Sequence, residues 1–202
     1  MDKKRISKKG PSTRERIIAS ALECFIAEGV LGTNVSSIAK KLGVPHPLVL
    51  YHYPTLQGLY LDMVLFIVED IKDVTMKALM KNHKDPKEAL CAYVRVPFQW
   101  AQKNPGMFSA LMFFYYQSSF SKPFMDLNTQ LRQTGRERIS TLLYEGIAKG
   151  KYPRIKSTQV ENLALEIQSL ITGGTILSST EQGLSKKLSM ELTVARVMNM
   201  LG

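Results

Sequence analysis

The chain has 202 residues, of which 45% are hydrophobic and 22% are charged, proportions that exclude a disordered, collagen-like or disulfide-scaffold protein. Its apolar runs are too short to cross a membrane, and no apolar stretch follows the cationic N-terminus as a signal peptide requires, so we expect a cytoplasmic protein without a membrane partner. Lysine and arginine outnumber aspartate and glutamate by 27 to 17, and the net charge of +10 favours a polyanionic partner.

The positive charge is concentrated at the start of the chain. Residues 1–16 carry seven lysine or arginine residues and two acidic residues, so about half of the net charge lies in under a tenth of the sequence. Residues 1–11 therefore predict a basic flexible arm. On composition alone, such a run is most often only a solvated tail.

The first predicted helix begins at Thr13. Apolar residues recur in it at steps of three and four, and Gly29 ends the pattern. Cys24 lies in this helix and Cys91 in a later apolar helical pattern. Both are predicted to be buried thiols in a reducing compartment, in preference to a disulfide.

The second and third predicted helices form a helix-turn-helix. Thr33 or Asn34 caps the second helix and Gly43 stops it; after a short turn, Pro47 opens a third helix that ends at about Tyr53. In this arrangement the later helix enters the major groove of DNA, and exposed residues of the earlier one cross the phosphate backbone. Helical hairpins are common, so spacing alone leaves DNA binding open. The adjacent basic arm favours it.

Six further helices are predicted downstream, separated by breaks that contain proline or glycine. They are Leu56 to about Lys81, Pro86 to Lys103, Gly106 to Ser118, Lys122 to Lys149, Ser157 to Thr180 and Lys186 to Leu201. The sequence shows no convincing strand and no internal repeat, so we predict an all-α fold of about nine helices. Its predicted parts are the arm at 1–11, a helix-turn-helix domain at 12–55, and a larger helical domain at 56–202.

Three segments of the N-terminal part carry a family resemblance. Ile17 to Gly29, Thr33 to Val44, and Tyr51-His52-Tyr53 with the later Leu59 closely resemble the N-terminal domain of the TetR (tetracycline-repressor) family of bacterial transcriptional regulators. The resemblance covers about 50 contiguous residues. It implies a two-domain homodimer: three helices bind operator DNA, the larger domain holds a ligand pocket, and the last two helices form the dimer interface. We therefore expect a sequence-specific repressor that a small, largely apolar effector releases from double-stranded operator DNA.

Two positions depart from that family. Leu50 stands where many members have a tyrosine that contacts phosphate, and Leu56 stands where most have a lysine. No lysine or arginine occurs between Lys41 and Lys72. The attraction to phosphate must therefore come from cations of the first two helices and of the arm.

The candidate DNA-binding residues combine positions that match the family with nearby cations. They are Lys8, Lys9, Thr33, Ser36, Ser37, Lys40, His46, Pro47, Leu48, Tyr51 and His52. Pro47 and Leu48 could touch thymine methyl groups, and His46 can hydrogen-bond a purine edge. The resemblance implies a phosphate contact for His52. Leu48 suits the core equally well, and Leu50 is expected in the core.

The candidate ligand-binding residues lie in the fifth, sixth and eighth predicted helices. They are Tyr93, Trp100, Met112, Phe113, Tyr116, Gln117 and Thr172. Aromatic and methionine side chains offer adaptable apolar surface, and a few polar groups would orient a ligand. Pro97 removes a helical hydrogen bond and could leave room beside the fifth helix. For each of these residues, simple burial in the core is the alternative.

The last two predicted helices carry apolar stripes. The stripes are Val160, Leu163, Ile167, Leu170 and Ile171, then Leu188, Leu192, Val197 and Leu201. They suit a four-helix dimer interface or, equally, the chain's own core. The family resemblance favours the dimer.

Three other functions compete with this interpretation. An enzyme is disfavoured, and no cofactor or metal is expected, because His46, His52 and His83 lie in no metal-binding or catalytic motif and no phosphate loop or nucleophile elbow is visible. The main alternative is a small-molecule or lipid-binding helical protein without specific DNA binding. The third is a DNA-binding regulator without a ligand, which would lack an enclosed cavity.

Overall fold

Residues 10–202 are described by a computed structural model and form nine α-helices and one short 3₁₀ turn, with no strand among them. The helices are α1 Thr13–Gly32, α2 Val35–Leu42, α3 His46–His52, α4 Leu56–Asn82, α5 Pro86–Lys103, α6 Pro105–Gln117, α7 Lys122–Ala148, α8 Val160–Thr180 and α9 Lys186–Met200. The predicted all-α class is confirmed, and each predicted helix occurs with bounds that differ by a few residues. Most of the predicted basic arm, residues 1–9, lies outside the described residues.

Local capping explains where the first two helices begin. The Ser12 hydroxyl accepts a hydrogen bond from the Glu15 backbone N–H, and the Glu15 carboxylate accepts one from the Ser12 N–H. Asn34 caps α2 in the same reciprocal way with Ser37, which decides between the two predicted caps. Gly43 ends α2 in the left-handed region at φ 71°.

Gly29 breaks α1 where the sequence predicts its end. Its φ of 70° and ψ of −172° lie outside the helical region, and the last residues of α1, up to Gly32, follow beyond this kink. Glycine tolerates a positive φ at little cost, so it can interrupt a helix at this position. The prediction that Gly29 ends the regular helical pattern is therefore confirmed.

Two clusters of buried apolar side chains build the core. The first joins α1, α2, α3, α4 and α6, with Ile17, Val49 and Leu59 fully buried. The second joins α5, α7, α8 and α9 and includes Leu143 and Ile167. Because the first cluster draws on α4 and α6, the N-terminal three helices are anchored directly to the rest of the chain.

Helix α6 packs closely against α1 at Gly106. A Cβ built on Gly106 would lie 2.5 Å from the Ile26 side chain, so α6 meets α1 at a position where only glycine fits without movement. The Phe113 ring lies 5.8 Å from the ring of Phe25 and 5.6 Å from that of Tyr60. Helix α6 therefore packs aromatic surface against both α1 and α4.

The C-terminal stripes divide between two environments. Five members are buried in the chain's own core, which is one of the two environments predicted for the stripes: Val160, Ile167, Ile171, Val197 and Leu201. Leu188 and Leu192 are instead 55% and 61% exposed, and two other leucines of α8, Leu165 and Leu177, are 52% and 54% exposed.

Two further expectations concern the state of the two cysteines and the presence of a membrane-spanning helix. Cys24 and Cys91 are both buried and free, as predicted. Within residues 10–202, every helix is too short or too polar to cross a membrane.

Candidate nucleic-acid interface and ligand cavity

Helix α3 is anchored through Val49 and exposes four of its other side chains. Val49 is fully buried, while Tyr51 is 80% exposed and His46 and Pro47 are also exposed. Leu50 is 39% exposed, so the expectation that it lies in the core was wrong. The reason is geometric: consecutive helical residues are rotated by about 100°, so a helix anchored through Val49 turns its neighbour away from the core.

Two further candidate DNA-binding residues of α3 are only partly exposed. Leu48 is half-buried, between the two environments considered for it, and His52 is half-buried too. The Tyr51 and His52 rings meet edge to face, with centroids 5.2 Å apart. We call the exposed residues His46, Pro47, Leu50 and Tyr51 the recognition face.

Helix α2 contributes fewer free groups than its sequence suggests. Ser36 and Lys40 are exposed, but the Ser37 hydroxyl is used in capping. Thr33 is 3% exposed, and its hydroxyl donates to the Gly29 carbonyl at 2.7 Å. The expectation that Thr33 contacts DNA through its side chain is therefore corrected, because that side chain closes the end of α1.

Only some cations near the recognition face lack a partner. Arg14 lies 2.6 Å from the Asp62 carboxylate and donates to the Tyr53 hydroxyl, and these hydrogen bonds raise the pKa of Arg14. Lys41 pairs with Glu23 at 3.0 Å. Within described residues 10–55, Arg16 and Lys40 are the cations that form no ion pair.

A cavity of about 260 Å³ lies in the larger helical part, among α4, α5, α6, α7 and α8. Its apolar wall consists of Val68, Ile71, Pro97, Trp100, Phe108, Leu111, Met112, Phe114, Tyr115, Leu131, Ile139, Ile171 and Ile176. Its polar lining consists of Lys72, Thr75, Tyr93, Asn128, Arg132, Thr134, Arg138, Gln168, Thr172 and Thr175. The cavity is thus mostly apolar, with its charged side chains on α4 and α7.

The polar wall is organised around Arg132. Its guanidinium donates to the Thr172 hydroxyl at 2.9 Å and lies 4.6 Å from the centre of the Tyr115 ring. Gln168 of α8 donates to the Arg132 backbone carbonyl at 2.9 Å and accepts from Arg136. These contacts join α7 to α8 and hold the guanidinium beside the cavity.

Tyr93, Tyr115 and Asn128 show that the polar wall of the cavity is buried. Burial raises the pKa of Tyr93 and of Tyr115, and nearby Arg132 opposes both shifts. The Asn128 Oδ1 atom is buried and accepts no hydrogen bond from residues 10–202. An unsatisfied buried acceptor costs about 1–3 kcal/mol.

Residues 17–63 match the sequence model of the bacterial regulatory proteins of the tetR family. The match spans α1, α2, α3 and the start of α4, which are the helices that build and support the recognition face. The N-terminal part of the chain, residues 17–63, therefore matches the TetR family.

Curated relatives of this chain carry two different names. The HTH-type transcriptional regulator BetI of Agrobacterium fabrum is 29% identical over 112 residues, which are 55% of this chain and 54% of BetI. The nucleoid occlusion factor SlmA of Vibrio vulnificus is 27% identical over 139 residues, 65% of this chain and 70% of SlmA. The chain spans about half the length of the BetI relative.

Solved structures extend the likeness over the whole fold. A transcriptional regulator from Rhodococcus superposes with a TM-score of 0.78 at 17% identity, covering 94% of this chain and 96% of its own. A transcriptional regulator from Saccharomonospora viridis in complex with choline gives a TM-score of 0.77 at 19% identity, covering 92% and 95%. At these identities the TetR-like fold is shared.

The TetR-family fold brings four of the seven predicted ligand residues together. Tyr93, Trp100, Met112 and Thr172 line the cavity. The other three were placed wrongly, since none of them lines it: Phe113, Tyr116 and Gln117. One face of α6 carries the cavity residues, and these three lie on other faces, where Phe113 packs against α1 and α4 and Tyr116 is 60% exposed.

The sequence prediction missed the charged wall. Asn128, Arg132 and Arg138 are three of the polar cavity residues on α7. The four-residue spacing places Asn128 and Arg132 on one side of the helix, and Arg138 lies about 120° further round it. That periodicity is visible in the sequence, but arginine on an amphipathic helix ordinarily faces solvent.

Proposed function

We propose that this chain is a dimeric, sequence-specific DNA-binding transcriptional repressor that a small ligand releases from DNA. Residues 12–55 would bind the operator, and residues 56–202 would hold the ligand and the dimer contact. The observation that carries the proposal is the recognition face, a set of exposed side chains on a short helix anchored through Val49 and preceded by the capped helix α2. The names of the relatives, BetI a transcriptional regulator among them, offer no support for catalysis.

The recognition face has the chemistry to distinguish bases. His46 can hydrogen-bond a purine edge, and the exposed Pro47 and Leu50 offer apolar contact to thymine methyl groups. Arg16 and Lys40 supply cations for the phosphates on either side. Five more cations lie in residues 1–9, outside the described part, including the predicted contacts Lys8 and Lys9.

The proposed dimer rests on an exposed apolar face. On α8, Leu165 and Leu177 flank Ser169 and Gly173 at four-residue steps, so the four positions form one stripe. On α9, Leu188 and Leu192 are exposed in the same way. A second copy of the chain would remove the exposed half of each leucine from water, which would contribute about half of the roughly 1.5–3 kcal/mol of a complete burial.

Helix α6 would link the ligand to the DNA. Phe108 and Met112 of α6 line the cavity, while Phe113 of the same helix packs against Phe25 of α1. A ligand that shifts α6 would therefore shift the helices that hold the recognition face. Allosteric coupling typically amounts to about 1–3 kcal/mol, which is about a five- to hundredfold loss of operator affinity.

The proposal is tested by selecting genomic fragments that bind the full chain and measuring their affinity by gel shift. We expect palindromic sites upstream of genes, with half-sites about one helical turn or a multiple apart. Loss of sequence preference in Tyr51→Ala with unchanged folding would support the recognition face. Binding without sequence preference, or no DNA binding at all, would favour the ligand-binding protein without specific DNA recognition.

A further inference from the structure

The geometry of the cavity points to an organic anion as its ligand: a carboxylate held by Arg132 and Arg138, with an apolar body against Trp100 and Phe108. This inference deepens the proposed function, because it names the chemical class of the effector.

The first argument is charge. Three cations line the cavity, Lys72, Arg132 and Arg138, and no aspartate or glutamate does so within residues 10–202. Lys72 already pairs with Glu69 at 3.0 Å. The two arginines have no carboxylate partner in the described part of the chain. The cavity is therefore electropositive on the α7 side.

The second argument is unused hydrogen-bonding capacity. A guanidinium has five N–H donors, and Arg132 spends one of the Nη1 donors on the neutral Thr172 hydroxyl. Arg138 makes no hydrogen bond within residues 10–202. The positive charges of Arg138 and Arg132 both lower the pKa of Tyr93, which burial raises. Partly buried guanidinium groups are stabilised when a carboxylate accepts two parallel N–H bonds. A ligand carboxylate would supply the missing acceptors.

The third argument is the shape and size of the rest of the cavity. A volume of about 260 Å³ equals that of about nine liquid waters, so it holds a ligand of roughly ten non-hydrogen atoms. The wall formed by Trp100, Phe108 and Met112 is apolar. Only one end of such a ligand would meet the charged side chains, so its body should be hydrocarbon.

A cationic ligand is disfavoured by the same contacts. Quaternary ammonium groups, such as that of the choline bound by the Saccharomonospora viridis protein, are recognised over open aromatic faces. In this cavity the Tyr115 face is already covered by the Arg132 guanidinium, 4.6 Å from the ring centre. A second cation there would meet like charge with no carboxylate to offset it.

The test compares ligands that differ only in charge. Octanoate and 4-phenylbutyrate, their amides octanamide and 4-phenylbutyramide, and choline would be titrated into the full chain. Trp100 is the one tryptophan of the sequence and lines the cavity, so its fluorescence reports occupancy, and calorimetry gives the dissociation constant. We expect at least one carboxylate to bind tenfold or more tightly than its amide, the scale of a hydrogen bond to a charged group.

Four variants locate the charge. Arg132→Met and Arg138→Met should each reduce the preference for carboxylate over amide about tenfold or more, whereas Arg154→Met, an exposed arginine outside the cavity lining, should leave it unchanged. Arg132→Lys keeps the charge but loses the planar pair of donors, so it should retain part of the preference. Thermal melts of each variant establish that it is folded, and Arg132→Lys serves if Arg132→Met is not.

The outcomes separate this inference from the proposed function. Failure of both carboxylates to bind at millimolar concentration, equal binding of carboxylate and amide, tighter binding of choline, or a preference that survives both methionine variants would overturn the anion site. If carboxylate binding depends on the arginines but leaves the affinity for selected DNA fragments unchanged, the anion site stands and ligand-induced release is wrong.

Discussion

Removing residues 1–9 should eliminate most of the salt-dependent attraction between this protein and DNA. The described part of the helix-turn-helix domain carries four cations, but Arg14 is paired with Asp62 and Lys41 with Glu23. Two cations per protomer remain without an ion pair there, whereas residues 1–9 carry five. Residues 1–9 therefore carry more cations than the described part of the domain has without an ion pair.

The expected change follows from counterion release. The logarithm of the binding constant falls with the logarithm of salt concentration by about 0.9 for each phosphate neutralised. A truncated dimer with Arg16 and Lys40 in each protomer would show a slope of about −3.6. If all ten cations of the two deleted segments contact phosphate, the full-length slope would be steeper by up to about 9.

The assay is fluorescence anisotropy of a labelled operator and of an unrelated duplex, over a range of about 50 to 200 mM salt. Truncation should weaken binding to both duplexes by a similar factor. Lys40→Gln and Lys41→Gln provide a matched pair of neighbouring lysines: the first should flatten the slope, and the second should change it less because Lys41 is paired with Glu23. An unchanged slope after truncation would refute this reasoning and make the segment a bystander.

Four further results are expected. His46→Ala should relax base preference at one position per half-site, at a cost of about 1–3 kcal/mol, in a selection with randomised operators; uniform weakening would assign His46 to the backbone instead. Leu192→Glu should convert the dimer to monomers in analytical ultracentrifugation, whereas Leu31→Glu, at a residue 94% exposed on α1, should not. Gly146→Ala should lower the free energy of unfolding by about 1–3 kcal/mol in urea denaturation, because its Cβ would collide with the buried Tyr152 ring; a smaller loss would mean that the ring can move. Burial raises the pKa of Tyr152 above its ordinary value of 10. The contribution of the neutral Tyr152 side chain to the free energy of unfolding is therefore complete below about pH 10 and declines as pH rises further. Tyr152→Phe should reduce this decline, measured as the difference in the free energy of unfolding between about pH 9 and 11.

The sequence alone determined the helices and the helix-turn-helix. Capping groups such as Ser12 and Asn34, the left-handed Gly43 and the proline after His46 act within one or two turns of chain. Such signals are local, so a short window of sequence contains them. For the same reason the recognition helix could be located, and its candidates His46, Pro47 and Tyr51 are exposed.

Side-chain direction on the sixth helix was decided only by packing. Helix α6 is apolar nearly all round, so its sequence has no polar face that marks which side is buried. Met112 therefore faces the cavity while the neighbouring Phe113 faces α1. Thr33 is a comparable case, since its burial depends on Tyr60 of α4, whose hydroxyl donates to the Thr33 carbonyl.

The charged wall and the apolar stripes were also settled by tertiary structure. From the sequence, Arg132 and Arg138 would be assigned to the solvent-facing side of α7. In the folded chain they line the cavity together with residues of α5, α6 and α8. In α8 and α9, Ile167 is buried while Leu177 and Leu192 are exposed, although all three are large aliphatic residues. Hydrophobicity determines that a residue favours burial, but which residues find a partner depends on how helices distant in sequence are arranged in space.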